Sequence, residues 1–250
     1  MIHRLLAVVN PVLETLQGRP SLQFVILASM ALFWIVVLLT AYMTLFRAYH
    51  HVRFLWRRRR RAAFEPGVEK VLMEEPLDAV VEAFRPRLPG DADIALEVMT
   101  DNMRHLLGAP LETLREAARK LGFVDLCVRR LGRPGRVRRG RAMEALGLMR
   151  ALEARDQLVA AAYRERTDLK LVALRSLALL RDPADLPHFV KVSDSLPPAM
   201  LVRMASLMME YGGAARPFVA DMITRHPSAF TPRVMKLMLA ESAAADGTPR

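Results

Sequence analysis

The sequence predicts an all-α protein in which one N-terminal transmembrane helix precedes an α-solenoid of helix hairpins. Three observations predict it: 25 residues without an ionisable group, Leu22 to Phe46; a dense arginine row after them; and three later segments recurring at about 31 residues. The first two define a membrane span and its charged collar. The third defines stacked repeats.

Residues 1–21 carry only Arg4, Arg19 and Glu14 and are expected to form a short extracytoplasmic segment. Within it, "IHRLLAVVNPVLETLQ" (2–17) suits an interfacial helix broken near Pro11, and a disordered tail or a partner contact stays open as well. Residues 22–46, "LQFVILASMALFWIVVLLTAYMTLF", form a predicted transmembrane helix of about 37 Å at about 1.5 Å per residue. That exceeds a hydrocarbon layer of about 30 Å and leaves room for tilt. A cleavable signal peptide is disfavoured, because the apolar run is long, has little charge before it and meets arginines where a small-residue cleavage site would stand.

Residues 47–67 read as a basic juxtamembrane linker. Arg47, Arg53 and the row Arg57, Arg58, Arg59, Arg60 and Arg61 flank the span, with Tyr42, Tyr49 and Trp56 as interfacial anchors. Positive residues stay on the cytoplasmic side, so the N-terminus is expected outside and the C-terminal domain in the cytoplasm, beneath an inner (plasma) membrane. The charge map agrees with two local contacts. Of the formal +11, residues 47–61 supply seven arginines and no acid, whereas residues 62–250 hold 28 basic against 25 acidic residues. Of those 28, seven fall in "RRLGRPGRVRRGR" (129–141): Arg129, Arg130, Arg133, Arg136, Arg138, Arg139 and Arg141. Outside these two spots the body is slightly acidic, which argues against a general nucleic-acid groove.

Residues 68–110 are expected to be a helical cap, with helices over 68–85 and 91–107. Residues 111–242 are the repeat array, and 243–250, "AAADGTPR", a disordered tail. In the array, "RAMEALGLMRALEARDQLV" (141–159), "VALRSLALLRDPADLPHFV" (172–190) and "VRMASLMMEYGGAARPFV" (202–219) align. Ala142, Leu146, Met149 and Val159 fall on Ala173, Leu177, Leu180 and Val190 at a constant offset of 31. Each copy is an apolar helix, a Gly or Asp-Pro turn and a second apolar helix, with Pro187 and Pro217 placed for the first turn, where a missing N–H costs nothing. A lone hairpin cannot bury its apolar face, so neighbours must stack.

At "LKLVALRSLALLRDPADLPHFVKV" (169–192) the chain resembles the HEAT repeat: an alanine- and leucine-rich first helix, an Asp-Pro turn and a proline opening the second helix. The resemblance covers 136–225 and extends back to 111–132 and forward to a capping half-repeat at 230–242. It implies a protein-binding scaffold. HEAT-like relatives also include DNA-repair glycosylases and bilin lyases, so chemistry has to be sought among the residues themselves.

Cys127 stands alone, which rules out an intramolecular disulfide and reads as a buried small side chain. The six histidines, His3, His50, His51, His105, His188 and His226, include no pair at metal-ligand spacing. Asp101 and His105 stand one turn apart and read as a surface i,i+4 contact before a general-base pair. Glu74 and Glu75, ahead of Pro76, read as first-turn charges of a helix. Phosphate loops and nucleophile elbows are absent from the sequence. Met200, Met204, Met208, Met209, Met222, Met235 and Met238 crowd the last repeats and read mainly as core filler.

The expectation is therefore a non-catalytic, single-pass scaffold or accessory subunit without cofactor or metal. Its cytoplasmic repeats would bind a partner protein, and its arginines anionic lipid headgroups. Resemblance to small membrane-anchored HEAT proteins implies an envelope or polysaccharide-synthesis assembly as the setting. The alternative is a nucleic-acid-binding, glycosylase-like HEAT protein. That reading needs a basic groove lined by aromatics, and after Trp56 the body offers no tryptophan and only Tyr163 and Tyr211.

Overall fold

The computed structural model describes residues 20–230, which are helical with no strand among them. The chain divides into two compact units, Met1–Arg59 and Arg60–Arg250.

The first unit is dominated by α1 (Pro20–Ala62), a helix of 43 residues. Among the described residues it is the one helix long and apolar enough to cross a membrane. Among its described side chains, Phe33, Trp34, Leu38 and Leu45 are exposed. Thr40 and Thr44 donate their hydroxyls to the carbonyls of Val36 and Thr40, both at 2.8 Å. Such back-bonding satisfies a hydroxyl on an otherwise apolar surface. The stretch expected as a linker is helical as far as Ala62. Arginine is a good helix former, and no Gly or Pro follows Pro20 until Pro66.

The second unit begins with α2 (Glu65–Leu72), α3 (Leu77–Phe84) and α4 (Asp91–Met103). The single helix expected over 68–85 is thus two, and Glu74 and Glu75 lie in the turn between them instead of opening the second. Glu74 adopts a φ of 54°, Glu75 accepts from Lys70 Nζ at 2.9 Å, and Pro76 stands just before Leu77. The Phe84 ring stacks on Phe64 and closes over Gly67, where an added Cβ would lie 2.7 Å from the ring. The fourth helix ends at Met103, four residues short of expectation.

Eight helices follow: α5 (Ala109–Lys120), α6 (Phe123–Leu131), α7 (Arg136–Leu148), α8 (Arg155–Arg164), α9 (Thr167–Leu180), α10 (Leu186–Ser193), α11 (Pro198–Met208) and α12 (Arg216–Arg225). Pro187 and Pro217 lie in the first turns of α10 and α12. The 31-residue offset recurs in the backbone: Arg150, Arg181 and Gly212 all have positive φ, at 49°, 60° and 65°, where the first helix of each segment gives way to its turn. It recurs in burial too, since Ala142, Leu146 and Met149 are buried as are Ala173, Leu177 and Leu180.

Strongly packed pairs are close neighbours in the chain. α9 packs chiefly on α7 and α8, α7 on α6, α10 on α12 and α11, and α3 on α5. One contiguous core runs from Phe64 to Phe230 and includes Phe84, Phe123, Leu146, Leu177 and Phe189. Each such side chain contributes roughly 1.5–3 kcal/mol on burial. Met204, Met208 and Met222 are fully buried, as core filler should be. Met235 and Met238, the interfacial segment 2–17, the half-repeat 230–242 beyond Phe230 and the tail 243–250 lie outside the described residues.

Candidate functional site: two arginine clusters

The first cluster ends inside the second unit. Arg60 Nη1 donates to Asp91 Oδ1 at 2.8 Å and to the carbonyl of Pro89 at 3.1 Å. Asp91, itself buried at the start of α4, also accepts from the backbone N–H groups of Leu88 and Arg87. Arg61 reaches Asp101 at 2.8 Å and Glu97 at 3.4 Å on the same helix. The last two arginines of the row are therefore fastened to the helical body. Asp101 also accepts from Arg104 at 3.1 Å, and the chain of charges continues through Arg104–Glu144 and Glu144–Arg175. Asp101 is a rung of this ladder. The ring of His105, exposed beyond the end of α4, forms no hydrogen bond or ion pair with the described residues, so the expected i,i+4 contact with Asp101 is not made.

The second cluster lies on the end of α6, the loop 132–135 and the first turns of α7. It separates into two sets. Arg130 pairs with Asp93, Arg136 with Asp168, and Arg139 with Glu165 at 2.7 and 2.9 Å. Arg129, Arg133, Arg138 and Arg141 are exposed and form no ion pair among the described residues. Burial lowers the pKa of Arg130, with the nearby charges of Arg133 and Arg138 adding to the effect, so these guanidinium groups crowd one another. Val137, between Arg136 and Arg138 on α7, is 69% exposed.

Charged groups that sequence reasoning did not single out hold the helices to one another. Arg115, buried on α5, donates from Nε to the carbonyl of Leu148 at 2.8 Å, while Arg119 reaches the carbonyls of Met149 and Arg150. These carbonyls end α7 and have no intrahelical partner, so two cations sit where the helix dipole is negative. Desolvation lowers the Arg115 pKa.

Asp185, fully buried in the turn before α10, stands 2.7 Å from Arg155 Nε, which also approaches Asp182 at 3.2 Å. Burial pushes the Asp185 carboxyl up to about 6 despite Arg155. Tyr211 is pushed up by burial and then by Asp185, and its hydroxyl has no hydrogen-bond partner among the described residues. Asp182 caps the turn by accepting from the N–H of Ala184 at 3.0 Å.

Tyr163 Oη and His188 Nδ1 lie 3.0 Å apart, and His188 is lowered first by burial and then by Arg155. Cys127 is buried, and burial pushes its thiol up to about 12, out of reach of thiolate chemistry near neutral pH. Among the described residues no group of three His, Cys, Asp or Glu side chains is placed to hold a metal ion. Comparison with protein-family models, with curated proteins and with solved structures finds no match.

Proposed function

We propose that this protein is a non-catalytic, single-pass membrane scaffold or accessory subunit whose HEAT-like solenoid binds a partner protein at the cytoplasmic face of the inner membrane. One observation carries the reading: an uncharged apolar stretch runs without a helix break into an arginine collar, and the collar's last two residues are fastened to a body of packed helices. The recurrence of positive φ at Arg150, Arg181 and Gly212 and of buried positions at offset 31 supports stacked repeats. Seven arginines on one side of the apolar stretch against a net +1 on the other favour an outside N-terminus and a cytoplasmic body. An envelope or polysaccharide-synthesis complex remains the proposed setting.

A reporter fusion after Arg250 together with crosslinking in intact membranes tests this. The full chain is expected to resist alkaline extraction, to give cytoplasmic-type reporter activity, and to crosslink repeatedly to one protein through the helical body. Periplasmic phosphatase activity from the fusion would refute the orientation. Alkali-extractable protein would refute the anchor, and full recovery without any body crosslink would refute the scaffold.

A further inference from the structure

The seven arginines of 129–141 look alike in sequence and are unlike in structure. Three are paired with acids from other segments, Asp93, Asp168 and Glu165, which compensates their charge. The remaining four, Arg129, Arg133, Arg138 and Arg141, are exposed and form no ion pair among the described residues. Arg138 and Arg141 are three apart on α7 and hence on one face, and Arg133 belongs to the loop that leads into it. Between them Val137 projects at 69% exposure and Pro134 is exposed as well. Solubility would favour a polar residue at that tip. Unpaired cations around a protruding apolar residue match an interface with negative headgroups outside and acyl chains beneath.

We propose that Arg129, Arg133, Arg138 and Arg141, with the exposed Val137 beside Arg138 on α7, form a second membrane contact for an anionic bilayer surface. This rests on the reading of α1 as a membrane anchor, because a tethered body meets the bilayer at high effective concentration, so that a weak patch suffices. Guanidinium groups form paired hydrogen bonds with phosphate oxygens, which favours phosphate-bearing headgroups. An acidic protein face and a nucleic acid share the negative charge, but neither accounts for the exposed Val137 as directly.

The test uses the full chain in lipid nanodiscs, carrying Val137→Cys labelled with a polarity-sensitive dye. Cys127 is buried and leaves residue 137 as the reactive thiol among the described residues. Discs containing about a third phosphatidylglycerol are compared with purely zwitterionic discs, with brominated lipids as depth-dependent quenchers. We expect a blue-shifted, quenched signal in anionic discs alone, abolished at high salt. Each arginine near such a surface contributes about fivefold to the contact equilibrium. Replacing Arg129, Arg133, Arg138 and Arg141 together by Gln should therefore lower that equilibrium by about tenfold or more with helicity unchanged. The same change at Arg130, Arg136 and Arg139 should lower it less than about threefold.

A dye reporting water in both lipids, or a contact insensitive to the fourfold replacement, overturns the proposal. So does a larger response to added poly-glutamate or duplex DNA in zwitterionic discs than to anionic lipid. Failure of the chain to enter discs of either kind is a separate result, since it sinks the anchor on which the inference rests.

Discussion

Gly147 lies one residue before the end of α7, where that helix passes α9 at its closest. A Cβ placed on Gly147 would sit 2.7 Å from the Cα of Ser176, 2.9 Å from its Cβ and 3.1 Å from its carbonyl oxygen. Two of these atoms are backbone, so no rotamer change relieves the contact, and the helices would have to separate by several tenths of an ångström. Two effects compete when Gly147 becomes Ala. Helix propensity favours alanine by about 1 kcal/mol at an interior position, and by less so near a helix end. Overpacking a close helix contact costs about 1–3 kcal/mol. Parting α7 from α9 would also loosen the core around Leu146, Leu177 and Ala178, so the clash should win by about 1–2 kcal/mol.

Gly140 on the same helix is the control. Its added Cβ would meet only the Leu169 methyl Cδ2, at 3.1 Å, the end of a flexible side chain. Gly140→Ala should then be neutral or stabilising by up to about 1 kcal/mol. Denaturant titration of the detergent-solubilised chain, followed by circular dichroism, measures both. If Gly147→Ala is as stable as the parent, or if the two variants change together, the close approach of α7 and α9 is wrong.

Three further outcomes follow from the core and its buried charges. Asp185 titrates at about 6 in the folded state against 3.8 ordinarily, so the folded protein binds more protons between those values and stability falls as pH rises from about 4 to about 6. The span corresponds to about 3 kcal/mol at most, and Asp185→Asn should flatten that part of the stability–pH curve; an unchanged slope would remove Asp185 as its source. Leu177→Asp places a charge at a fully buried position between α7 and α9 and should cost several kcal/mol, seen as loss of the cooperative thermal transition. Arg115→Ala leaves the Leu148 carbonyl without its donor and removes a packed stem, a loss of about 1–3 kcal/mol that Arg115→Lys should only partly restore, since the Nε donor is missing.

Much of the helical body was legible because it is written locally. Apolar spacing in 141–219, Pro187, Pro217 and the Asp182-Pro183 turn each act within one or two turns of helix, and the structure places them as those rules require. Where reading failed, a local signal was misweighted. Pro76 disfavours helix at Glu75, and that residue does lie between two helices, yet the apolar pattern on both sides suggested a single helix over 68–85. In the collar, charge density suggested a linker although every residue from 47 to 62 is compatible with helix. The long-range pairings of Arg60, Arg61, Arg115 and Arg155 were not legible, although Arg115 also has a local partner in Glu112. Those distant partners lie 27 to 40 residues away in sequence and are chosen by how helices stack, which no local pattern states.

That distinction bears on what the second cluster is for. Had all seven arginines been paired, the cluster would be a structural device alone, and its energetics would be modest, because partly exposed ion pairs contribute about 0–1 kcal/mol each. Arg139–Glu165 and Arg136–Asp168 join α7 to the segment opening α9 across 26 and 32 residues, close to one repeat. Such pairs are better placed to set the register between neighbouring hairpins than to hold them together, since the buried apolar residues supply far more. Register requires acids at matching positions, and three arginines have them. The other four have none among the described residues, although the body carries more acids than bases once both arginine clusters are set aside. Four exposed guanidinium groups without an ion partner among the described residues are what the proposed anionic contact would use, and lipid composition is the variable to which that contact should respond.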